Sequence, residues 1–148
     1  MIRLANKFDR KEIFSMVNAL NHECAIPQFQ GLDADAHGDD LWHNLLAGQG
    51  VILVAVKKEK VVGCIIGIIT QSVWSKSIRG LFEIAWYVKP EYRNTSISYR
   101  LMARYIKEGQ DLKRFGFVHF LTISKMVNQF DRQFAKFGFK KTDENWIQ

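Results

Sequence analysis

The chain of 148 residues has the length of one domain, and its 47% hydrophobic and 24% charged residues are typical of a globular rather than a disordered protein. The longest apolar stretch, residues 61–69, is interrupted by two glycines and is far shorter than the roughly 20 residues of a membrane-spanning helix. The N-terminus also lacks the apolar run of a signal peptide. We therefore expect a single domain over residues 1–148, located in the cytoplasm, with no membrane partner.

The net charge of +6 is unevenly distributed along the chain. Between Glu12 and Val56 there is no Lys or Arg, and six acidic residues give this segment a formal charge of −6, so the remainder carries +12. One interpretation is two surfaces with different partners, and the other is chance clustering on solvated faces. A nucleic-acid partner is not expected, because the basic residues resemble no helix-turn-helix or base-stacking motif.

The two cysteines, Cys24 and Cys64, show no Cys-x-x-Cys or Cys/His spacing, so no metal site is predicted. Cys64 lies within the longest apolar stretch and is interpreted as a small core residue. A disulfide is not expected in a reducing compartment.

The N-terminal region is predicted to form a strand and a helix. Residues 2–4 give a short strand, and Asp9 is the predicted N-cap of a helix that runs to about Asn21, with Glu12 as its capping-box partner. Residues 22–38 contain Pro, Gly and scattered acids with weak periodicity, which indicates a loop.

A second helix and a β-hairpin follow. Asp39 or Asp40 is the predicted start of the helix, and Gly48 ends it. The apolar runs 51–56 and 61–70, separated by a lysine-rich turn, predict the hairpin.

The second half of the chain predicts a strand, a crossover helix and a further strand. The strand covers residues 81–88, the helix runs from about Ser96 to Lys107 with Gly109 as its C-cap, and the next strand covers residues 117–123.

The chain is predicted to close with a helix over residues 128–137, stopped by Gly138, and a strand from Phe139 to Trp146. The resulting order, β-α-α-β-β-β-α-β-α-β, combines a hairpin half with a strand–helix–strand crossover. It predicts an α/β fold with a central mixed sheet and helices on both faces.

The most informative segment joins the strand at residues 81–88 to the crossover helix. Its sequence is Val88-Lys89-Pro90-Glu91-Tyr92-Arg93-Asn94-Thr95-Ser96-Ile97-Ser98. A helix that opens directly after a strand leaves its first N–H groups unpaired, and the helix dipole makes this end attractive to phosphate. The small residues Asn94, Ser96 and Ser98 let the backbone approach an anion. The segment predicts a pyrophosphate site, and the alternative is a serine-capped helix start without a ligand.

This segment resembles the pyrophosphate loop of the GNAT superfamily of N-acetyltransferases, which typically reads Val-x-Pro-x-Tyr-Arg-Gly-x-Gly-x-Gly/Ala. The matching residues are Val88, Pro90, Tyr92, Arg93 and Ile97, and the usual glycines are replaced by Asn94, Ser96 and Ser98. The closing residues 136–139 resemble the family's Lys-Leu-Gly-Phe, so the resemblance covers nearly the whole chain. It implies acetyl-coenzyme A as cosubstrate, held by Val88, Arg93, Asn94, Thr95, Ser96, Ile97, Ser98 and Asn128.

The resemblance also implies the chemistry. A base removes a proton from an amine acceptor, a strand N–H polarises the thioester carbonyl, and a tyrosine on the last helix often protonates the leaving thiolate. Glu83, in an otherwise apolar strand, is the first candidate base, and a position exposed or paired with Arg79 is the alternative. His119 is the second candidate, with a core role as the alternative. Phe134 stands where the family has tyrosine, so Tyr92, Tyr99 or water is left to donate the proton.

The function predicted in this way is transfer of an acetyl group from acetyl-coenzyme A to an amine on a small molecule or a protein. The lost glycines and Phe134 leave an alternative, a catalytically degenerate GNAT fold used as a structural or protein-binding module. In this family the first two helices and their loop commonly line the acceptor side, which here is the acidic segment. One interpretation is therefore a cationic acceptor, with Asp33, Asp35, Asp39 and Asp40 as its surface. The alternative is that these acids only cap the second helix and solvate the loop. A homodimer is left open.

Overall fold

The structure, a computed structural model, describes residues 1–24, 26–124 and 134–142. Within these residues one mixed sheet has the strand order β1-β2-β3-β4-β5. The strands are β1 (Ile2–Leu4), β2 (Gly50–Lys57), β3 (Lys60–Ser72), β4 (Ser75–Val88) and β5 (Phe120–Leu121). The first four strands pair antiparallel, and β5 pairs parallel to β4. The mixed sheet of the α/β prediction is confirmed.

Helices cover both faces of this sheet. They are α1 (Arg10–Glu23), α2 (Ala34–His37), α3 (Asp39–Asn44) and α4 (Ile97–Arg114). On one face, α1 and α3 pack Ile13 and Trp42 against the strands, and on the other, α4 packs Leu101 and Tyr105. Burial of both faces explains why β2 and β3 are almost continuously apolar rather than alternating.

The start of α1 differs from the prediction. Asp9 makes no side-chain capping bond to the helix. It is buried, its carboxylate forms an ion pair with Arg3 at 2.7 Å, and it accepts a hydrogen bond from the Asn6 N–H at 2.8 Å. The guanidinium of Arg3 lowers the pKa of Asp9. Asp9 therefore joins the helix start to β1 instead of forming a capping box with Glu12.

The strands β3 and β4 extend beyond residues 61–70 and 81–88, the ranges predicted for them. Gln71 pairs with Arg79 and Ser72 with Ser75, and the register shifts between these two pairs. Hydrophobic patterning missed this arm because backbone pairing, rather than core burial, forms it. Val73 and Trp74 at its tip are 89% and 93% exposed.

The helix α4 continues past the glycine that was predicted to end it. A Cβ atom on Gly109 would lie 2.9 Å from Cδ1 of Leu121, so this glycine allows close approach of the helix to β5. The helix ends at Arg114, and Gly116, with φ of +77°, supplies the left-handed residue that follows many helices.

Three other boundaries differ. Gly38, rather than Asp39 or Asp40, is the N-cap of α3, and the helix passes into a π-helical turn at Leu45–Gln49. The strand expected over 117–123 is limited to β5.

The predicted closing elements lie largely outside the described residues. Of the helix expected over 128–137, only the 3-10 turn Phe134–Phe137 is described, and it is followed by Gly138 with φ of +82°. The described part of the expected final strand, residues 139–142, has no strand pairing. No helix in the described ranges is long and apolar enough to cross a membrane.

Candidate active site

The parallel strands β4 and β5 separate soon after they meet. They pair at Gly80–Phe120 and Leu81–Leu121, and the N–H of Thr122 donates to the Leu81 carbonyl at 2.9 Å. Beyond this bond, the described residues show no further backbone hydrogen bond between the two strands. The region between residues 82–88 of β4 and residues 122–124, where the described residues form no strand pairs, is here called the β4–β5 slot.

A β-bulge in β4 lies at the mouth of this slot. Ile66 of β3 is opposite Ala85 and Gly67 is opposite Glu83, so Ile84 is the extra residue. A bulge bends its strand and aims a side chain out of the regular ladder. Bulges are over-represented next to active sites, and this one directly follows the predicted catalytic carboxylate.

Glu83 is partly buried and extends to the other side of the slot. Its Oε2 accepts hydrogen bonds from the backbone N–H of Ser124 at 3.0 Å and from the Ser124 hydroxyl at 2.5 Å. Burial raises the pKa of Glu83, and the two hydrogen bonds from Ser124 oppose that shift. A carboxylate whose pKa is raised is a stronger base than an exposed one.

His119 lies at the opposite end of the β4–β5 pairing. His119 is exposed, and its ring Nδ1 accepts a hydrogen bond from the backbone N–H of Arg79 at 3.2 Å. The backbone N–H of His119 donates to the Arg79 carbonyl at 2.8 Å. Glu83 lies further along β4, and Ser124 lies beyond the end of β5. The structure therefore places only one of the two predicted bases in the slot.

The predicted pyrophosphate loop directly precedes α4, at the carboxyl end of β4. A 3-10 turn, Pro90–Tyr92, leads into it, and Asn94, Thr95 and Ser96 are exposed. The hydroxyl of Thr95 donates to the Tyr92 carbonyl at 2.6 Å, and Ser96 is the N-cap of α4 without a side-chain capping bond.

This loop fits a phosphate group. Helix α4 has 18 residues, and its first N–H groups have no acceptors within the helix. Ser98 is buried, so its side chain does not occupy the exposed face of the loop. An open cleft of about 230 Å³ lies alongside, with Lys57 and Arg100 among its lining residues. The donors on this surface are backbone N–H groups, hydroxyls and cations, which suit an anion.

The hydrophobic flanks of the loop are anchored in the core. Val88 and Ile97, which precede and follow it, are buried against the face that α4 covers. Their burial supports the loop but leaves no side-chain atom to bind a phosphate. Asn128, the remaining predicted contact, lies outside the described residues.

Arg93 does not extend along the exposed face of the loop. Its Nε donates to the Val88 carbonyl at 2.9 Å, and its NH2 group donates to both carboxylate oxygens of Glu23, at 2.7 and 2.9 Å. The guanidinium lies over the ring of Tyr87, 5.1 Å from its centroid. Sequence reasoning missed Glu23 and Tyr87 because no local spacing connects them to residue 93.

Four of the six acids of the acidic segment form ion pairs with three bases from outside it. The pairs are Arg10 with Asp35 and Asp39, Lys89 with Glu12, and Arg93 with Glu23. Asp33 accepts a hydrogen bond from the Asp35 N–H at 3.1 Å and so caps α2. Fewer free carboxylates are therefore available to a cationic acceptor than the sequence predicted.

Two tyrosines near the start of α4, Tyr92 and Tyr99, are the candidates for the general acid. Phe134 opens the last described turn, with its ring 6.4 Å from that of Phe139. Tyr99, in the first turn of α4, is 56% exposed, and its ring lies 5.6 Å from that of Phe137. Tyr92 is partly buried beneath Lys57, whose Nζ is 5.2 Å from the ring centroid. Of these, Tyr99 presents a hydroxyl beside the helix start.

Comparison with known proteins gives one family. A model of the acetyltransferase (GNAT) family matches residues 16–139. No curated protein matches the chain.

Solved structures share the fold. A predicted acetyltransferase from Clostridium acetobutylicum, solved with acetyl-CoA, is 18% identical, with a TM-score of 0.75 and coverage of 100% of this chain and 94% of that one. The aminoglycoside N-acetyltransferase AAC(6')-Iy in complex with CoA is 16% identical, with a TM-score of 0.69 and coverage of 100% and 97%. A ribosomal-protein-alanine N-acetyltransferase from Brucella melitensis biovar Abortus 2308 is 15% identical, with a TM-score of 0.65 and coverage of 100% and 98%.

Proposed function

We infer that this chain, which belongs to the GNAT family of acetyltransferases, transfers an acetyl group from acetyl-coenzyme A to an amine. The observation that carries the inference is the position of Glu83, in the slot where β4 and β5 separate, with the start of α4 at the carboxyl end of the same strand. Strand β4 thus carries a candidate base and leads directly into a candidate anion site.

Acetyl-coenzyme A would be held by the loop and the slot together. The N–H groups of Asn94 and Ser96 would bind the pyrophosphate, with Arg100 and Lys57 contributing positive charge nearby. The Thr95 N–H already donates to the Tyr92 carbonyl at 3.2 Å. The pantetheine arm would follow β4 beyond the pairs that this strand forms with β5, where it could hydrogen-bond to the strand backbone. When bound, the cosubstrate supplies an activated acyl group on a thiol whose ordinary pKa is about 8.5.

The protein's part in the reaction is proton transfer and charge stabilisation. Glu83, directly or through a water, takes a proton from the acceptor ammonium, so that the amine nitrogen has a free electron pair. That nitrogen forms the new C–N bond while the C–S bond breaks and the thiol leaves as thiolate. An N–H of β4 facing the slot stabilises the negative charge on the carbonyl oxygen. The nitrogen of the new amide releases its second proton to water. The thiolate takes a proton from water or from the Tyr99 hydroxyl, which is then reprotonated by water.

The acceptor is proposed to be an amine that is cationic before it loses its proton. The two acids of the acceptor side that form no ion pair with the described residues, Asp33 and Asp40, would attract it weakly, at about 0–1 kcal/mol for each exposed contact. An acceptor drawn in by such a field binds less well as salt increases.

The experiment measures transfer of labelled acetyl from acetyl-coenzyme A to a panel of amines at low and high salt. The panel contains polyamines, aminoglycosides, lysine-rich peptides and peptides with N-terminal alanine. With the best acceptor, Glu83→Gln should lower kcat by about 10²–10⁴-fold, the usual contribution of a general base, and leave acetyl-coenzyme A binding intact. Glu59→Gln, a matched change on the exposed β2–β3 turn, should leave kcat unaltered.

Two results would contradict the proposal. Full turnover by Glu83→Gln would remove this residue from the mechanism. Absence of transfer to every amine in the panel, despite binding of acetyl-coenzyme A, would instead favour a binding module built on the same fold.

A further inference from the structure

The side chain of Arg93 joins three elements on the side of the loop away from the phosphate site. Its partner Glu23 is the last residue of α1, and its Nε is bonded to the carbonyl of Val88, the last residue of β4. Three hydrogen bonds of 2.7–2.9 Å therefore connect the first residue of the loop to helix α1 and to the strand that carries Glu83.

Tyr87 completes this cluster. Its hydroxyl donates to Oε1 of Glu23 at 3.1 Å, and its ring lies under the guanidinium. The two side chains of the ion pair are 42% and 36% exposed, so solvent screens their attraction, and the pair contributes little to the free energy of unfolding. Its geometry is nevertheless tightly defined, because the planar guanidinium is bonded on two edges and stacked on one face.

The other described hydrogen bonds of the loop are all local. The N–H groups of Arg93 and Thr95 donate to the carbonyls of Pro90 and Tyr92, and the Thr95 hydroxyl also donates to the Tyr92 carbonyl. Among the described residues, only the Arg93 side chain connects the loop to α1 by a hydrogen bond. Ordering a loop on binding reduces affinity, whereas a loop already held in its bound conformation avoids that cost. Glu23 and Arg93 are placed to provide that order without touching the ligand.

We propose that Glu23 and Arg93 are positioning residues that hold the loop at 93–96 in the conformation that receives the pyrophosphate of coenzyme A. This inference rests on the proposed function. It makes Arg93 a support behind the phosphate site and gives Glu23, an acid of the acceptor-side segment, a role in binding the cosubstrate.

The test compares two acetyl donors. In Glu23→Gln, the KM for acetyl-coenzyme A should rise about threefold to tenfold while kcat at saturation stays constant, because only the bound conformation of the loop becomes rarer. With S-acetylpantetheine, which lacks the pyrophosphate and the nucleotide, kcat/KM should be the same for Glu23→Gln and wild type. A merely structural defect would lower kcat/KM for both acetyl donors.

Glu12→Gln is the matched control. It also removes an ion pair between α1 and the region after β4, that of Glu12 with Lys89 at 3.3 Å, but this pair does not touch Arg93. Its KM for acetyl-coenzyme A should equal that of wild type. Arg93→Lys keeps the charge but loses the fork that bonds Val88 and Glu23 together, so it should behave like Glu23→Gln and provides a second variant.

The outcomes are distinguishable. If wild type does not bind coenzyme A by calorimetry, both the proposed function and this inference are wrong. If wild type binds and turns over acetyl-coenzyme A, an unchanged KM in both Glu23→Gln and Arg93→Lys would overturn the positioning role alone. An equal loss with acetyl-coenzyme A and S-acetylpantetheine would do the same.

Discussion

At the scale of single residues, the environment of Glu83 makes a prediction about its protonation. Burial raises its pKa and the Ser124 hydrogen bonds lower it. A carbon-detected NMR titration should therefore find a midpoint above the ordinary value of about 4.3 for glutamate. Ser124→Ala removes the hydroxyl that stabilises the carboxylate, so the midpoint should move further up. A midpoint at or below the ordinary value, or one that Ser124→Ala moves down, would contradict this description of the site.

The sequence identifies a candidate site residue where a polar side chain interrupts an apolar pattern. Glu83 stands out in this way, because it interrupts an apolar strand. The orientation of Arg93 was not predictable, since its partner Glu23 is 70 positions earlier in the chain. Asp9 looked like a helix cap because its position before α1 fits one. Its partner Arg3 is only six positions away, but Arg3 belongs to a strand, and local spacing does not show this contact.

At the scale of elements, the contact between β3 and α4 makes a prediction about stability. A Cβ atom on Gly67 would lie 2.7 Å from Cε2 of Tyr105, a fully buried side chain whose hydroxyl donates to the Thr122 carbonyl at 3.2 Å. Gly67→Ala should therefore lower the free energy of unfolding by about 1–3 kcal/mol, the usual cost of overpacking. Urea denaturation measures it.

Gly31→Ala is the control for this change, because no atom lies within 4 Å of the added Cβ. Its effect should stay within about 0.5 kcal/mol. Equal stability of the two variants would show that Tyr105 can move aside, and the packing argument would fail.

Hydrophobic periodicity predicted the types of the longer elements correctly, but it did not predict where these elements end. It also did not predict the short helix α2. Amphipathic spacing predicted α1 and α4, and continuous apolar runs predicted β2 and β3. The arm at 71–80 and the extension of α4 past Gly109 depend instead on strand pairing and on contact with Leu121. Such long-range contacts leave little signal in a local window of sequence.

At the scale of the whole molecule, the fold places bases from elsewhere in the chain beside four of the six acids of the acidic segment. The acidic segment meets bases that lie 25 to 77 positions away in the chain, as in the pairs of Asp35 with Arg10 and Glu12 with Lys89. Counting charges along the chain predicted a free acidic surface, because it cannot show which charges the fold brings together. The positive remainder includes Lys57 and Arg100, which border the cleft beside the loop.

The central claim is that coenzyme A binds where α4 begins, and thermal denaturation with acetyl-coenzyme A tests it most directly. At 100 times its Kd the ligand should stabilise the wild type by about 2.7 kcal/mol, and Tm should rise accordingly. Ser96→Glu puts a negative charge at the N-cap, which suits the helix dipole of the free protein but repels phosphate, so this variant should fold and show no shift. Ser77→Glu, on the exposed β3–β4 arm, should keep the full shift. No shift in the wild type, or an undiminished shift in Ser96→Glu, would contradict the account.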